Sequence, residues 1–466
     1  MTAPAGNKIV THPAEIAIQS VEARCLGIPY CSQQQQEIYD VSGRVIGNSS
    51  VMPSIYIRNK ISQMREAPSL NLSQRYERLK KAGQLYKEAT LAELDPNTYI
   101  TLTSKVTGLQ PLVIANSLAN ISYALLNMSN ILQAATPTGA VWDCNNAAVY
   151  AGCSLFSRRA DVVSVIAAGN GPGAHGLWPQ AIAMGYRTLV RPSYREPFTA
   201  QRLVHALEQA GLADYIALVP TDHQGTDVLI SQSDLAIVYG GPEVAARYRH
   251  NPRVLIQGPG RSKIVVGRDI DHAEAVRFAA GSALSLGGAA CVSTSAILVE
   301  ENPNKFAREL REALEALSTT APPRLAGQQE ANHYEALLKS EEFPWHYDRT
   351  FAQGYPLKPH VTLVQDASDP KVQRELSFPC VTVAPFNQQD AYKALSNSLV
   401  VTILSRQENM IKKILADTSI ANVYIGNIMT TWMGYHVPHS GYLTDFLMCN
   451  RGIRIKEGWL DIYRLS

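Results

Sequence analysis

Residues 162–173, Val-Val-Ser-Val-Ile-Ala-Ala-Gly-Asn-Gly-Pro-Gly, contain the pattern that decides the fold. The β-branched run predicts a strand buried on both faces, and the glycine-rich turn predicts where that strand ends. Further strand patterns follow at 187–191, 215–219 and 235–239, with helical patterns between them. This alternation predicts an α/β fold with a doubly wound parallel sheet, which binds its ligands at the carboxyl ends of the strands.

A second alternation of strands and helices begins near residue 253 and includes strand patterns at 263–266 and 296–299. A chain of 466 residues is too long for one hydrophobic core, so at least two domains are expected. The residues before 160 are predicted to be mostly helical after an irregular start. Residues 322–359 are predicted to be rich in loops.

The composition argues against several classes of partner. The net charge is +2, which gives no electrostatic reason to expect nucleic acid or an anionic membrane. No apolar stretch is long enough to span a bilayer, and residues 1–10 lack the apolar segment of a secretory signal. The seven cysteines are scattered and never spaced Cys-x-x-Cys, which argues against a disulfide framework and a structural metal site. We therefore expect a cytoplasmic protein that binds small molecules.

Cys291 is the candidate nucleophile. It follows Leu-Gly-Gly-Ala-Ala at 286–290, and these small residues leave room for a carbonyl group beside the sulfur. Taken alone, this segment fits a buried structural cysteine equally well, because free cysteine is among the most buried residue types.

Two glycine-rich turns follow predicted strands. Asn170 lies in the first of them and can donate a hydrogen bond to a developing oxyanion, or it can simply tolerate a left-handed turn. Gly240 and Gly241 lie in the second, where backbone N–H groups can hold a pyrophosphate. A plain strand-to-helix turn is the alternative there, because the full Gly-x-Gly-x-x-Gly pattern is missing.

The order of five short motifs resembles the aldehyde dehydrogenase superfamily. They are Gly169-Asn170-Gly171-Pro172, Arg191-Pro192-Ser193, Gly240-Gly241, Gly288-Ala289-Ala290-Cys291 and Glu375-Leu376-Ser377-Phe378-Pro379. The resemblance implies two doubly wound Rossmann-like domains and a small β element for oligomerisation. The cofactor-binding domain would comprise 1–135 and 160–252, the catalytic domain 253–439, and the strands of a homodimer or homotetramer 136–159 and 440–466.

The resemblance also implies roles for single residues. Cys291 would be the nucleophile, with Asn170 and the Cys291 backbone N–H forming the oxyanion hole. The cofactor would be NADPH or NADH. Its adenosine end would lie against Arg191 and Ser193, its pyrophosphate against Gly240 and Gly241, and its nicotinamide ribose against Glu375, unless Glu375 is only a solvated residue at a strand end.

Gln257 departs from the family pattern. Hydrolytic members carry a glutamate there as general base, and an amide cannot accept a proton near neutral pH. This departure is typical of the acyl-thioester-reducing branch, which includes the acyl-CoA reductases. It predicts NAD(P)H-dependent reduction of an acyl group, carried by CoA or by carrier-protein phosphopantetheine, to an aldehyde. Oxidation of an aldehyde to an acid, and acyl transfer without hydride transfer, are the alternatives.

The residues after the strand at 187–191 favour NADPH over NADH. NAD-preferring members carry a ribose-binding glutamate, whereas this chain has Tyr194 and Arg195 at those positions. Loss of the carboxylate removes repulsion of a 2′-phosphate, and arginines attract one. Glu196 would reverse this preference if it turned inward. Two histidines near the C-terminus, His436 and His439, are predicted to be structural or surface residues because no nearby residue completes an acid–base pair.

Overall fold

The first half of the chain builds a mixed seven-stranded sheet. The computed structural model describes residues 18–341, 344–350, 353–387, 389–434 and 436–459. The strand order is β12-β11-β8-β9-β10-β2-β3, and the five strands from β12 to β10 run parallel. The strands of this half of the chain, of which β1, β5 and β4 form a separate three-stranded sheet, are β1 (Gln19–Val21), β2 (Ala23–Cys25), β3 (Ile28–Tyr30), β4 (Gln35–Tyr39), β5 (Val45–Ser50), β6 (Ala140–Val141), β7 (Cys153–Arg158), β8 (Val162–Ile166), β9 (Arg187–Arg191), β10 (Ile216–Leu218), β11 (Leu235–Tyr239) and β12 (Val254–Gln257).

Helices cover both faces of this sheet, and their buried side chains form two apolar clusters with those of the strands. They are α1 (Ser54–Glu66), α2 (Leu72–Glu88), α3 (Pro96–Thr107), α4 (Pro111–Leu126), α5 (Met128–Ala134), α6 (Ala148–Ala151), α7 (Pro179–Ala183), α8 (Phe198–Leu207), α9 (His223–Gln232) and α10 (Pro242–Tyr248). None of the described helices is by itself long and apolar enough to span a membrane. Helices α3 and α4 together reach the length and composition, but they bend by 118°.

The order in which strands are added to this sheet reverses between β8 and β11. From β8 it proceeds through β9 to β10 on one side, then returns to form β11 and β12 on the other. Parallel strands that diverge in this way leave a crevice at their carboxyl ends. The loop with Asn170 follows β8, and the turn with Gly240 follows β11, so both predicted loops lie at this crevice.

The second half builds a six-stranded, all-parallel sheet with the order β17-β18-β14-β13-β19-β20. Its strands, with the short hairpin β15-β16, are β13 (Ser262–Val266), β14 (Thr294–Val299), β15 (Leu325–Ala326), β16 (Tyr355–Pro356), β17 (His360–Leu363), β18 (Cys380–Pro385), β19 (Val400–Leu404) and β20 (Asn422–Ile425). Its helices are α11 (His272–Leu284), α12 (Pro303–Ser318), α13 (Gln328–Leu338), α14 (Gln389–Leu395) and α15 (Glu408–Leu415). The predicted pair of doubly wound domains is confirmed.

Two sheets meet where the chain crosses from β12 to β13 through residues 258–261. Strand β12 pairs in parallel with β11, so it belongs to the first sheet, and the crossing lies a few residues after the predicted boundary at 253. Cys291 directly precedes β14, at an amino end of the second sheet. The carboxyl edge of the first sheet therefore faces the amino edge of the second.

A separate three-stranded sheet contains the segments predicted to serve oligomerisation. After α16 (Leu443–Leu447), strand β21 (Met448–Ile453) pairs antiparallel with β7, and β7 pairs with β6. Residues 460–466 of the predicted segment 440–466, and residues 1–17 of the predicted first domain, lie outside the described residues.

Two sequence predictions need correction. The irregular start contains β1 to β5, which are three to six residues long and largely polar or exposed, so they gave little periodic signal. The segment 322–359, predicted to be rich in loops, also contains α13 and the hairpin β15-β16. Helix α13 buries Ala331, Tyr334 and Leu338 on one face, a spacing that its many polar residues obscured.

Arg202 gives a test of the first domain's core. Its buried guanidinium donates to the carbonyl oxygens of Tyr86, Ala89 and Leu94, and so ties α8 to α2 and the loop after it. We expect Arg202→Leu to lower the free energy of unfolding by about 3 kcal/mol or more, because three buried acceptors lose their donor. Chemical denaturation measures this. Arg308→Leu, at an exposed site on α12, should change it by less than about 0.5 kcal/mol.

Candidate active site

The loop that carries Cys291 is held in one conformation by its backbone. Leu286, Gly287 and Gly288 have φ values of 55°, 68° and 65°, which turn the chain sharply after α11. A Cβ on Gly288 would overlap the backbone at Pro379. The Ser262 hydroxyl donates to the Cys291 carbonyl oxygen at 3.0 Å. The sulfur therefore occupies a fixed position at the amino end of β14.

The Cys291 thiol lies in apolar surroundings yet keeps some exposure, whereas Cys25 and Cys380 are buried. Burial, followed by the charge of Glu375, raises the pKa of Cys291 to about 12. The backbone N–H groups of Cys291 and Val292 act in the opposite direction. The resting residue is thus a neutral thiol at pH 7, and attack on a carbonyl requires removal of its proton.

His439 contacts this thiol: its Nε2 lies 3.4 Å from the Cys291 sulfur. Burial lowers the pKa of His439 to about 4, so the imidazole is neutral at pH 7. The prediction that His439 is a structural or surface residue missed this contact, because its partner lies 148 positions earlier in the chain. The exposed His436, three residues before it, is a surface residue as predicted.

Asn170 lies beside the cysteine loop, as the predicted oxyanion hole requires. Its side-chain amide donates to the carbonyl oxygen of Ala289 at 2.8 Å. This contact links the carboxyl end of β8 in the first domain to the amino end of β14 in the second. It brings a second amide hydrogen into the neighbourhood of Cys291, where the backbone N–H groups already face the sulfur.

Gln257 is buried at the end of β12 and has a defined partner. Its side-chain oxygen accepts a hydrogen bond from the Ser440 hydroxyl at 2.9 Å. Gln257, Ser440 and His439 line one cavity of about 260 Å³. The other residues that line it are Gly258, Pro259, Asn397, Ser398, Leu399, Ser419 and Ala421. An amide therefore occupies the place where the resemblance implies a catalytic carboxylate.

Glu375 lies close enough to Cys291 for its charge to raise the pKa of the thiol. One carboxylate oxygen accepts a hydrogen bond from the Arg261 backbone N–H at 2.6 Å. Lys263 donates to the Arg261 carbonyl oxygen at 2.7 Å, so the same turn is held from two sides. Burial raises the pKa of Glu375 and lowers that of Lys263 to about 7. Glu375 thus stabilises the crossing segment, beyond its predicted role toward a ribose.

Arg191 and Ser193 lie at the carboxyl end of β9, on the crevice. The Arg191 guanidinium donates to the Thr221 carbonyl oxygen at 3.3 Å, and burial lowers its pKa. Ser193 accepts from the Arg195 backbone N–H at 3.2 Å. Glu196 is fully buried and caps α8 by accepting from the Thr199 N–H at 2.8 Å. Its carboxylate therefore points into the core and away from the crevice.

The two glycines after β11 differ in their surroundings. A Cβ on Gly240 would overlap Val244, whereas a Cβ on Gly241 would meet no atom within 4 Å. Gly240 is therefore required for packing, and Gly241 leaves open space at the crevice. Helix α10 has only seven residues and begins with Pro242, which lacks an N–H group, so it presents few backbone donors. The crevice offers a planar guanidinium, a hydroxyl and open space, a set that fits a nucleotide.

Comparisons with known proteins identify the relatives of this chain. The model of the aldehyde dehydrogenase family matches residues 62–445. The chain belongs to the aldehyde dehydrogenase family. It is 27% identical over 173 residues to malonate-semialdehyde dehydrogenase 1 of Geobacillus kaustophilus (strain HTA426), a match that covers 35% of this chain and 36% of that protein. The corresponding enzyme of Shouchella clausii (strain KSM-K16) is 29% identical over 167 residues, 34% of each chain. The chain thus matches about a third of the length of these relatives.

Solved structures of family members superpose on nearly the whole chain. Indole-3-acetaldehyde dehydrogenase in complex with NAD+ gives a TM-score of 0.77 at 15% identity, covering 95% of this chain and 98% of that one. A 1-pyrroline-5-carboxylate dehydrogenase from Thermus with bound NAD gives 0.77 at 14% identity, covering 97% and 99%. These similarities confirm the predicted aldehyde dehydrogenase-like fold.

Gly260 gives a test of how this family member positions its cysteine. A Cβ on Gly260 would overlap the Cys291 carbonyl oxygen, so Gly260→Ala must displace the nucleophile loop. We expect at least a tenfold slower reaction of Cys291 with p-nitrophenyl acetate, because small displacements of reacting groups can cost about 10²-fold in rate. Gly452→Ala, where a Cβ meets nothing within 4 Å, is the matched control. Equal rates for both variants would contradict the steric argument.

Proposed function

We propose that this protein catalyses NAD(P)-dependent oxidation of an aldehyde through a covalent acyl-Cys291 intermediate. The observation that carries the proposal is the position of the Cys291 sulfur, held at the crevice between the two sheets with Asn170 beside its loop. Family membership and relatives named malonate-semialdehyde dehydrogenase support it.

Each residue at the crevice has a separate role in the proposed reaction. The Cys291 sulfur bonds to the aldehyde carbon, and the oxygen gains negative charge as the thiohemiacetal forms. Backbone N–H groups of Cys291 and Val292, with the Asn170 amide, are the donors near this charge. A bound nicotinamide ring supplies the acceptor for the hydride that leaves the thiohemiacetal carbon. Cys291 then carries the product as a thioester until an acceptor takes it.

Arg191, Ser193 and the open space at Gly241 would hold the nucleotide. The structural neighbours with bound NAD support a nicotinamide dinucleotide as the cofactor. We propose NADP(H) as the preferred form, because the buried Glu196 cannot reach a ribose while Arg191 and the exposed Arg195 can attract a 2′-phosphate. The preference concerns binding alone and leaves the chemistry at Cys291 unchanged.

Reduction of an acyl thioester is the second candidate, and Gln257 is the observation that favours it. Without a carboxylate at this place, release of the acyl group to water is disfavoured, whereas exchange with a thiol needs no such base. The partner would then be a small-molecule acyl thioester, with CoA or carrier-protein phosphopantetheine as the carrier. The names of the relatives give more support to aldehyde oxidation.

A homo-oligomer is a further proposal. The small sheet β21-β7-β6 is separate from the two domain sheets and has two edge strands. Strand β20 is an edge of the second sheet and exposes Ile425, and Trp432 and Met433 nearby are also exposed. Edges and apolar surfaces of this kind are suited to pairing with a second copy.

All seven cysteines lie within the described residues and are unpaired, which supports a reducing compartment such as the cytoplasm.

An assay with a panel of short aldehydes and NADP+ or NAD+ tests the proposed oxidation. We expect aldehyde-dependent formation of the reduced cofactor that Cys291→Ala abolishes and Cys144→Ala, at another partly exposed cysteine, preserves. Consumption of NAD(P)H with acyl-CoAs, and no oxidation of any aldehyde, would favour the reductase instead. Acylation of Cys291 detected by mass spectrometry without any change in the cofactor would point to an acyltransferase.

Gln257→Glu tests the missing base. A carboxylate in this buried place can accept a proton from water, so we expect the steady-state hydrolysis of p-nitrophenyl acetate, limited by deacylation, to rise about tenfold or more. The initial burst, which reports acylation, should change little. Gln74→Glu, at an exposed capping position of α2, is the control. An unchanged steady-state rate would show that position 257 does not limit deacylation.

A further inference from the structure

We infer that His439 is a catalytic residue that accepts the thiol proton of Cys291 as the sulfur bonds to its substrate. The inference rests on the proposed covalent mechanism and concerns the proton of the thiol, whereas Gln257 concerns the later release of the acyl group. It is drawn from the 3.4 Å contact between the His439 Nε2 and the Cys291 sulfur.

Hydrogen bonds on both sides of the cavity hold the loop that carries the imidazole. The Asn422 side chain, at the start of β20, donates to the His439 carbonyl oxygen at 2.5 Å. The next residue, Ser440, donates to Gln257 at the end of β12. The loop that carries His439 is therefore attached to both sheets, at the same crossing that positions Cys291.

The other titratable groups near Cys291 are poorly suited to take its proton. Glu375 faces the thiol, but its carboxylate is engaged by the Arg261 N–H, and its charge opposes formation of a thiolate. Tyr239 also faces the thiol; burial raises its pKa, and its hydroxyl donates to the Ala174 carbonyl oxygen at 3.3 Å. The positive charges of Lys263 and Arg261 interact with the Glu375 carboxylate. A neutral imidazole in contact with the sulfur is the remaining acceptor among these described groups.

The surroundings of the His439 Nδ1 explain why His439 would hold the thiol proton only transiently. The His439 Nδ1 is buried and has no hydrogen-bond partner among the described residues. An imidazolium would leave a charged N–H without an acceptor, which is costly in a buried site. The resting pair is therefore a thiol and a neutral imidazole, and the ion pair forms only as the sulfur reacts.

The proposed steps balance. As the S–C bond forms, the thiol proton moves to Nε2, and the carbonyl π electrons move to oxygen. Oxidation by NAD(P)+ removes two electrons and the carbon-bound hydrogen as hydride, restores the C=O bond and leaves a thioester, after which the imidazolium releases its proton to solvent. When an acceptor X–H attacks the thioester, its proton passes to the imidazole. The S–C bond then breaks, and the departing sulfur regains this proton.

Alkylation of Cys291 by iodoacetamide tests the inference without aldehyde or cofactor. Peptide mass spectrometry isolates the rate at Cys291 from those at the other cysteines. We expect His439→Gln to slow this rate at pH 7 by about 10²-fold or more, the usual effect of losing a positioned base. His436→Gln, the same change at the exposed neighbour, should leave the rate within about twofold of the wild type. Imidazole added to His439→Ala should restore the rate.

The pH dependence distinguishes a base from a structural role. The wild-type rate should stay level above the pKa of His439, about 4, because the neutral pair reacts without free thiolate. The rate of His439→Gln should rise about tenfold per pH unit, because it depends on thiolate formed by hydroxide. Equal rates and parallel profiles for the two proteins would overturn the inference. If the variants do not fold, a wild-type rate that rises tenfold per pH unit from 6 to 9 overturns it alone.

The two proposals fail separately. If no aldehyde is oxidised but alkylation depends on His439, the pair stands and the proposed substrate class is wrong. If aldehydes are oxidised and alkylation is unaffected by His439→Gln, the proposed function stands and the inference is wrong.

Discussion

The approach of Gly260 to the Cys291 carbonyl group is the constraint on which the site depends. Gly260 lies in the segment that leaves the first sheet and enters the second, and no side chain fits between it and the cysteine loop. The Leu399 N–H donates to the Gly260 carbonyl oxygen at 2.7 Å, which adds the start of β19 to the same junction. The segments that connect β12 to β13 and that precede β14 and β19 thus meet at one point, and the position of Cys291, the proposed nucleophile, follows from the crossing of the two sheets.

The same junction sets the electrostatics of the nucleophile. Burial at this junction raises the pKa of the thiol and lowers the pKa of its histidine neighbour. A preformed thiolate–imidazolium pair is disfavoured under these conditions. The site therefore combines a neutral nucleophile, a neutral acceptor and an amide at position 257, where hydrolytic family members carry a carboxylate. The proposed chemistry would therefore depend on proton transfer during attack more than on a stored charge.

The sequence was sufficient to predict the parts of the site that follow local rules. Strand β9 has the predicted bounds, and Asn170 and Gly240 lie at the crevice because each directly follows a buried strand. The contact of His439 was not predictable in this way. His439 lies 148 positions after Cys291 in the chain, and their proximity depends on how β20 pairs with β19. The inward turn of Glu196 was likewise open, because capping of α8 depends on where that helix begins.

The high pKa of Cys291 has a consequence for its oxidation. Peroxides oxidise the thiolate, and a thiol with a pKa of about 12 presents almost none of it at neutral pH. If His439 accepts the thiol proton during alkylation, it can also accept it when a peroxide reaches the sulfur. Oxidation of Cys291 would therefore depend on His439 and on access to the crevice, and less on the amount of free thiolate.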